Sequence, residues 1–154
     1  MLRKNLKSKK QETGGRFAIV ASNYNARYVD SMLRAAKQTL AGAKAWQIDV
    51  FRVPGAYEIP VVVARLLHAE TRYSSIICLG VVIRGETSHA QLVAEAVTNA
   101  ITNLQIAHEI PIIHEVLLLE NEEQAKVRCL DKDHNRGAEA AQTAISMATL
   151  MAQL

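Results

Sequence analysis

Gly80-Val81-Val82-Ile83-Arg84-Gly85-Glu86-Thr87-Ser88-His89 is the stretch that decides the fold. Before it, Tyr73-Ser74-Ser75-Ile76-Ile77-Cys78-Leu79 is an apolar run of strand length, as in a buried strand of a parallel sheet. After it, Leu92, Val93, Ala96, Val97, Ala100, Ile101 and Leu104 recur on one face of a helix running from Ser88 to about His108. The stretch therefore reads as a strand-to-helix crossing. In open α/β sheets such crossings lie at the carboxyl ends of the strands, where ligands bind.

The residue types there suit an anion. Gly85 lets the backbone turn tightly or approach a ligand. Thr87 or Ser88 can cap the helix, leaving the N–H groups of Glu86, Thr87 and Ser88 to face the crevice with the positive helix end behind them. His89 falls in the first helical turn, where that positive end favours a neutral imidazole able to accept a proton. A capped helix start with an exposed histidine accounts for the same residues taken alone.

Working outward, Arg16 to Ser22 is a β-branched run and a first strand, with Asn23-Tyr24-Asn25 as its exit loop. Ala26 to about Gly42 is a helix with Val29, Leu33, Ala36 and Leu40 on one face. Trp46 to Val53 alternates like a strand near a sheet edge and ends at Pro54-Gly55. Ala56 to about Ala69 is a second helix, with Pro60 in its first turn. Pro111 to Leu119 is a fourth strand, and Asn121 caps a short helix that opens on Glu122 and Glu123. Leu130 to Gly137 links to an alanine-rich last helix, Ala138 to Leu154, with Ala141, Ile145, Ala148 and Leu150 toward the core. This order implies a parallel sheet with right-handed crossovers.

A chain of 154 residues, 49% hydrophobic and 21% charged, is one domain with a real core. Much of its +3 charge comes from Arg3, Lys4, Lys7, Lys9 and Lys10, in a polar arm of residues 1–15 that ends in Gly14-Gly15. The body, 16–154, is close to neutral, so the charge gives no reading of nucleic-acid binding. Cys78 and Cys129 have neither metal spacing nor a disulfide framework. No signal peptide and no segment of membrane-spanning length is seen, and the expected setting is the cytoplasm.

Four separated pieces line up with one family. They are Ser22-Asn23-Tyr24-Asn25, Val53-Pro54-Gly55-Ala56-Tyr57-Glu58-Ile59-Pro60, Gly80 to His89, and Asn135-Arg136-Gly137-Ala138-Glu139-Ala140-Ala141. Together, from about residue 16 to the end, they resemble 6,7-dimethyl-8-ribityllumazine synthase. The resemblance implies an α/β, three-layer αβα sandwich, flavodoxin-like, with a four-stranded parallel sheet flanked by helices on both faces. It implies a transferase of riboflavin synthesis. That enzyme condenses 5-amino-6-(D-ribitylamino)uracil with 3,4-dihydroxy-2-butanone 4-phosphate, giving 6,7-dimethyl-8-ribityllumazine, phosphate and water. No metal and no organic cofactor is implied.

By the same resemblance His89 is the general acid/base, and the N–H groups of Gly85, Glu86 and Thr87 surround the phosphate. Arg128 matches the family's phosphate-binding arginine; a guanidinium fork suits a phosphate. Taken alone it reads as a surface arginine. Tyr24 matches the position that stacks on the pyrimidine, where Phe or Trp is more usual, and Asn25 beside it can bond ring heteroatoms. Ala56 and Glu58 match the positions that hold the ribityl chain, with Tyr57 between them. Glu58 also reads as a first-turn carboxylate favoured by the helix dipole. Val81, Val82 and Ile83 present backbone groups to the ring.

Three residues depart from the family's pattern. His114 stands where Phe is usual, at a position contributed to the neighbouring subunit's site. Glu115 stands where Gly is usual. Arg136 replaces Lys, keeping the charge but not the shape. The family's partners are two small-molecule substrates and copies of itself: a pentamer, in some members built into a 60-subunit shell, with riboflavin synthase as a further partner. Two rival readings are a lumazine- or riboflavin-binding protein without turnover and a shell-forming scaffold. Retention of His89, Arg128 and Glu58 speaks against both.

Overall fold

The structure, a computed structural model, describes residues 14–70 and 72–154. The expected basic arm lies outside the described residues apart from Gly14 and Gly15. The strands are β1 (Arg16–Ser22), β2 (Gln47–Val53), β3 (Ser75–Ile83) and β4 (Ile112–Leu119). The helices are α1 (Ala26–Gly42), α2 (Ile59–Leu67), α3 (His89–His108), α4 (Glu122–Cys129) and α5 (Arg136–Gln153), with a 3-10 turn at Ala56–Glu58. All strand pairs are parallel, in the order β2-β1-β3-β4.

The alternation of side chains along each strand makes three layers. Phe17, Ile19, Ala21, Ile77, Leu79 and Ile113 point to the face covered by α1, α4 and α5. Ala18, Val20, Ile76, Cys78, Ile112 and Val116 point to the face covered by the 3-10 turn, α2 and α3. Because both faces are covered, β1 and β3 are apolar at nearly every position rather than at alternate ones. The chain reverses direction across the sheet between β1 and β3, and a crevice opens there at the carboxyl ends.

The elements differ from the sequence expectations in detail. β3 does not stop at Leu79 but runs through Gly80 to Ile83. Gly80 is an ordinary strand residue; a Cβ there would touch Ala56 and Ile59 at an ordinary 3.5 Å and press on Val116 at 3.3 Å. The second helix begins as a 3-10 turn, and α5 begins two residues before Ala138, at Arg136. Three side chains expected to face inward do not: Leu92 is 61% exposed, Leu150 is 47% exposed, and Ala96 is exposed as well. Periodicity finds an apolar face, but not which part of that face a neighbouring element reaches.

Two asparagine side chains fix helix starts. The Asn121 side chain accepts the N–H of Gln124 at 2.9 Å. That of Asn135 accepts the N–H of Gly137 at 2.8 Å and donates to the Cys129 carbonyl at 2.8 Å. Gly137 then meets α1 so closely that a Cβ would sit 2.0 Å from the Met32 carbonyl oxygen.

Candidate active site

A cavity of about 860 Å³ occupies the crevice. Three chain segments lay its floor, and backbone bonds lace them together. The N–H of Asn23 donates to the Val53 carbonyl at 2.7 Å, and that of Tyr24 donates to the Pro54 carbonyl at 3.0 Å. Asn25 takes a left-handed conformation (φ 57°), which asparagine tolerates, and its Nδ2 donates to the Val81 carbonyl at 2.7 Å. The exits of β1, β2 and β3 are thereby joined. One N–H of the Asn25 side-chain amide is engaged in this work, which leaves the other N–H and Oδ1 for a ligand.

Eleven of the residues expected from sequence line this cavity: Tyr24, Asn25, Ala56, Tyr57, Glu58, Val81, Val82, Ile83, Gly85, Thr87 and His89. Tyr24 and Tyr57 stand largely open at the mouth, 73% and 65% exposed, so flat apolar surface is offered to a planar ligand. Ala56 is buried beneath them.

The far end of the cavity is the start of α3. Gly85 is not in a left-handed conformation, so the turn itself does not demand glycine; nothing lies within 4 Å of where its Cβ would be. The open space beside it belongs to the cavity. The backbone N–H groups of Gly85, Glu86, Thr87 and Ser88 have no acceptor among the described residues. Thr87 Oγ1 accepts the His89 N–H at 3.4 Å, a long bond, and Ser88 occupies the cap position without a side-chain cap. Unpaired donors at the positive end of a twenty-residue helix form an anion site. His89 is the first residue of that helix and lines the cavity.

Four expected residues do not line the cavity: Glu86, His114, Arg128 and Arg136. Glu86 is exposed in the turn before α3, with its backbone N–H unpaired. The other three sit on β4, α4 and α5. His114 Nε2 lies 2.7 Å from Thr98 Oγ1, whose proton goes to the Ala94 carbonyl, so the ring donates through Nε2. Its Nδ1 accepts the Val116 N–H at 3.2 Å. Those two bonds fix a neutral tautomer, and burial lowers the imidazole's pKa further.

On the opposite face of β4, two departures from the family pattern compensate each other. Glu115, 5% exposed, accepts from Arg136 Nε at 2.6 Å, and Arg136 also reaches Glu139 at 3.1 Å. Burial pushes the Glu115 carboxyl above its usual value, and Arg136 pulls it back only in part. Arg128 is close enough for its charge to act on Glu115, but makes no hydrogen bond or ion pair among the described residues. Of the lining residues that the sequence reading did not assign to the site, Glu122 at the start of α4 is the charged one; it looked like a first-turn carboxylate and no more.

Fold and crevice together define a flavodoxin-like α/β protein with a ligand cavity at the β1/β3 switch point. The family model described as 6,7-dimethyl-8-ribityllumazine synthase matches residues 14–152. Proteins of that name from Stenotrophomonas maltophilia (strain R551-3) and Xanthomonas euvesicatoria pv. vesicatoria are similar. The first is 42% identical over 142 residues, covering 90% of each chain. The second is 39% identical over 141 residues, covering 90% of this chain and 91% of the relative. The chain belongs to the 6,7-dimethyl-8-ribityllumazine synthase family, and with it to the transferases of riboflavin biosynthesis. No helix among the described residues is long and apolar enough to cross a membrane.

Proposed function

We propose that this cavity condenses 5-amino-6-(D-ribitylamino)uracil with 3,4-dihydroxy-2-butanone 4-phosphate to form 6,7-dimethyl-8-ribityllumazine. The observation that carries the reading is one cavity with an aromatic, amide-lined end and an end of unpaired N–H groups beside His89. The first end suits the flat pyrimidine, the second the phosphate.

In this reading Tyr24 stacks on the ring, and Asn25 Oδ1 with the backbone of Val81, Val82 and Ile83 meets its polar edge. Ala56, Tyr57 and Glu58 hold the ribityl chain, the carboxylate accepting its hydroxyls. The N–H groups of Gly85, Glu86 and Thr87 take the phosphate. His89 moves protons as the amine adds to the ketone, the imine forms with loss of water, phosphate leaves and the ring closes with loss of a second water. General acid/base help of this kind contributes roughly 10²- to 10⁴-fold. Holding two substrates in one cavity supplies the rest of the acceleration.

His114, Arg128 and Arg136 serve a neighbouring copy's site in this reading. All three lie off the cavity, toward the β4 edge of the sheet. The assembly that follows is a homo-pentamer, with a 60-subunit shell and enclosed riboflavin synthase as further levels of the same architecture. An apolar groove between α2 and α3, lined by Pro60, Val61, Ala96 and Ala100 with Val61 69% exposed, supports contact between copies. Residues 16–154 form the enzyme domain and 1–15 an appended arm. The cytoplasm is the setting, in keeping with two buried free thiols.

The test is to mix the purified chain with both substrates and follow lumazine fluorescence against the uncatalysed rate. Turnover above background is expected, with His89→Ala losing about 10²-fold or more in kcat while keeping its affinity for the pyrimidine. Absence of turnover in the unmodified chain would refute the reading.

A further inference from the structure

Glu122 lines the cavity from α4, a different element from the one that carries Glu58. Its Oε2 accepts a hydrogen bond from the phenol of Tyr28, itself buried at 3% exposure. Its Oε1 has no partner among the described residues. Tyr28 lies in the first turn of α1, three residues after Asn25, so Glu122 stands at the aromatic, amide end of the cavity.

A first-turn carboxylate favoured by the α4 dipole would account for a glutamate at this position. It does not account for a buried phenol reaching from another helix to hold that carboxylate at a cavity wall. Asn25 gives one amide N–H to Val81 and keeps its Oδ1 as an acceptor. Glu122 adds a second, charged acceptor. The carboxylate matches a ligand edge rich in N–H donors and disfavours an anion beside it, while Arg27 and Lys126 balance its charge from the side of Tyr28. The other end, with its unpaired backbone donors, has the reverse preference.

We propose that Glu122, held by Tyr28, is a further substrate-binding residue: its carboxylate accepts N–H donors of the aminopyrimidine and turns the phosphorylated substrate toward the Gly85–Ser88 end. The proposal rests on the function proposed above and adds to it the sorting of two substrates by opposite ends of one cavity.

The experiment compares the full chain with Glu122→Gln and Tyr28→Phe, after a thermal melt shows that both variants fold. Losing the charge of one ligand hydrogen bond should raise the KM for the pyrimidine about ten- to a hundredfold. The KM for the phosphorylated substrate should stay level or fall, with kcat within about threefold. Tyr28→Phe should shift the pyrimidine KM in the same direction by less. An unchanged pyrimidine KM in Glu122→Gln, or an equal rise in both KM values, overturns the proposal. Calorimetric binding of the aminopyrimidine alone separates the two levels. If the unmodified chain binds it without turnover, the proposed reaction fails while weaker binding by Glu122→Gln still upholds the glutamate's role. If the unmodified chain does not bind it, both fail.

Discussion

On the α1–α5 face of the sheet, alanines and a glycine bring helices into direct backbone contact, and Gly137 touches the Met32 carbonyl. On the α2–α3 face, the packing opens at the carboxyl edge into a cavity of about 860 Å³ rimmed by exposed Tyr24, Tyr57 and Leu92. Both faces are apolar and belong to the same strands. The difference lies in where small residues stand: between two helices they close space, and before a helix, as at Gly85, they leave it open.

That contrast can be broken most forcefully with a methyl group. Gly137→Ala must displace the α1 backbone, and overpacking of this kind costs roughly 3 kcal/mol or more. A chemical-denaturation series should show a large fall in midpoint or no folded protein. Gly85→Ala meets nothing within 4 Å. Its midpoint should stay within about 0.5 kcal/mol of the parent, as for a substitution that meets no packed neighbour. A comparable loss from both would mean that the two faces do not differ as described.

Arg128→Ala asks whether the tightly packed face also serves chemistry. A guanidinium–phosphate bond contributes about 1.5–3 kcal/mol, so the KM of the phosphorylated substrate should rise about tenfold or more, with pyrimidine affinity unaltered. Mixed assemblies of His89→Ala and Arg128→Ala chains should recover part of the activity, because some sites then receive both intact residues. An unchanged KM would remove Arg128 from the phosphate site.

The smallest effect is electrostatic. Burial lowers the His114 pKa below its usual 6.5 in the folded chain, so the unfolded chain binds the extra proton. The stability this contributes is present above about 6.5 and is lost as pH falls through the folded value. Glu115, raised by burial, acts in the opposite sense at acid pH. His114→Phe leaves Glu115 in place, so unfolding midpoints compared at pH 7 and pH 5 should show less acid loss than in the parent. Equal slopes would count against a half-buried neutral imidazole.

The strands and most helix faces were legible because alternation and 3.6-residue spacing are local signals. The strand reads only as far as Leu79 in the sequence, whereas β3 continues through Gly80 to Ile83. Leu92 and Leu150 misled because an apolar stripe does not state its partner. Eleven of the expected site residues converge because crossover topology brings strand exits together. The pairing of Glu115 with Arg136, twenty-one positions apart, and of Tyr28 with Glu122, ninety-four apart, leaves no local trace in the sequence.

The lacing of the cavity floor has a kinetic consequence. Asn23, Tyr24 and Asn25 are bound to the ends of β2 and β3 by the chain's own groups. A floor already fixed needs no closing motion to receive a guest. Neither substrate has to arrive first to shape a place for the other, and any preferred order of arrival must come from the groups that line the walls.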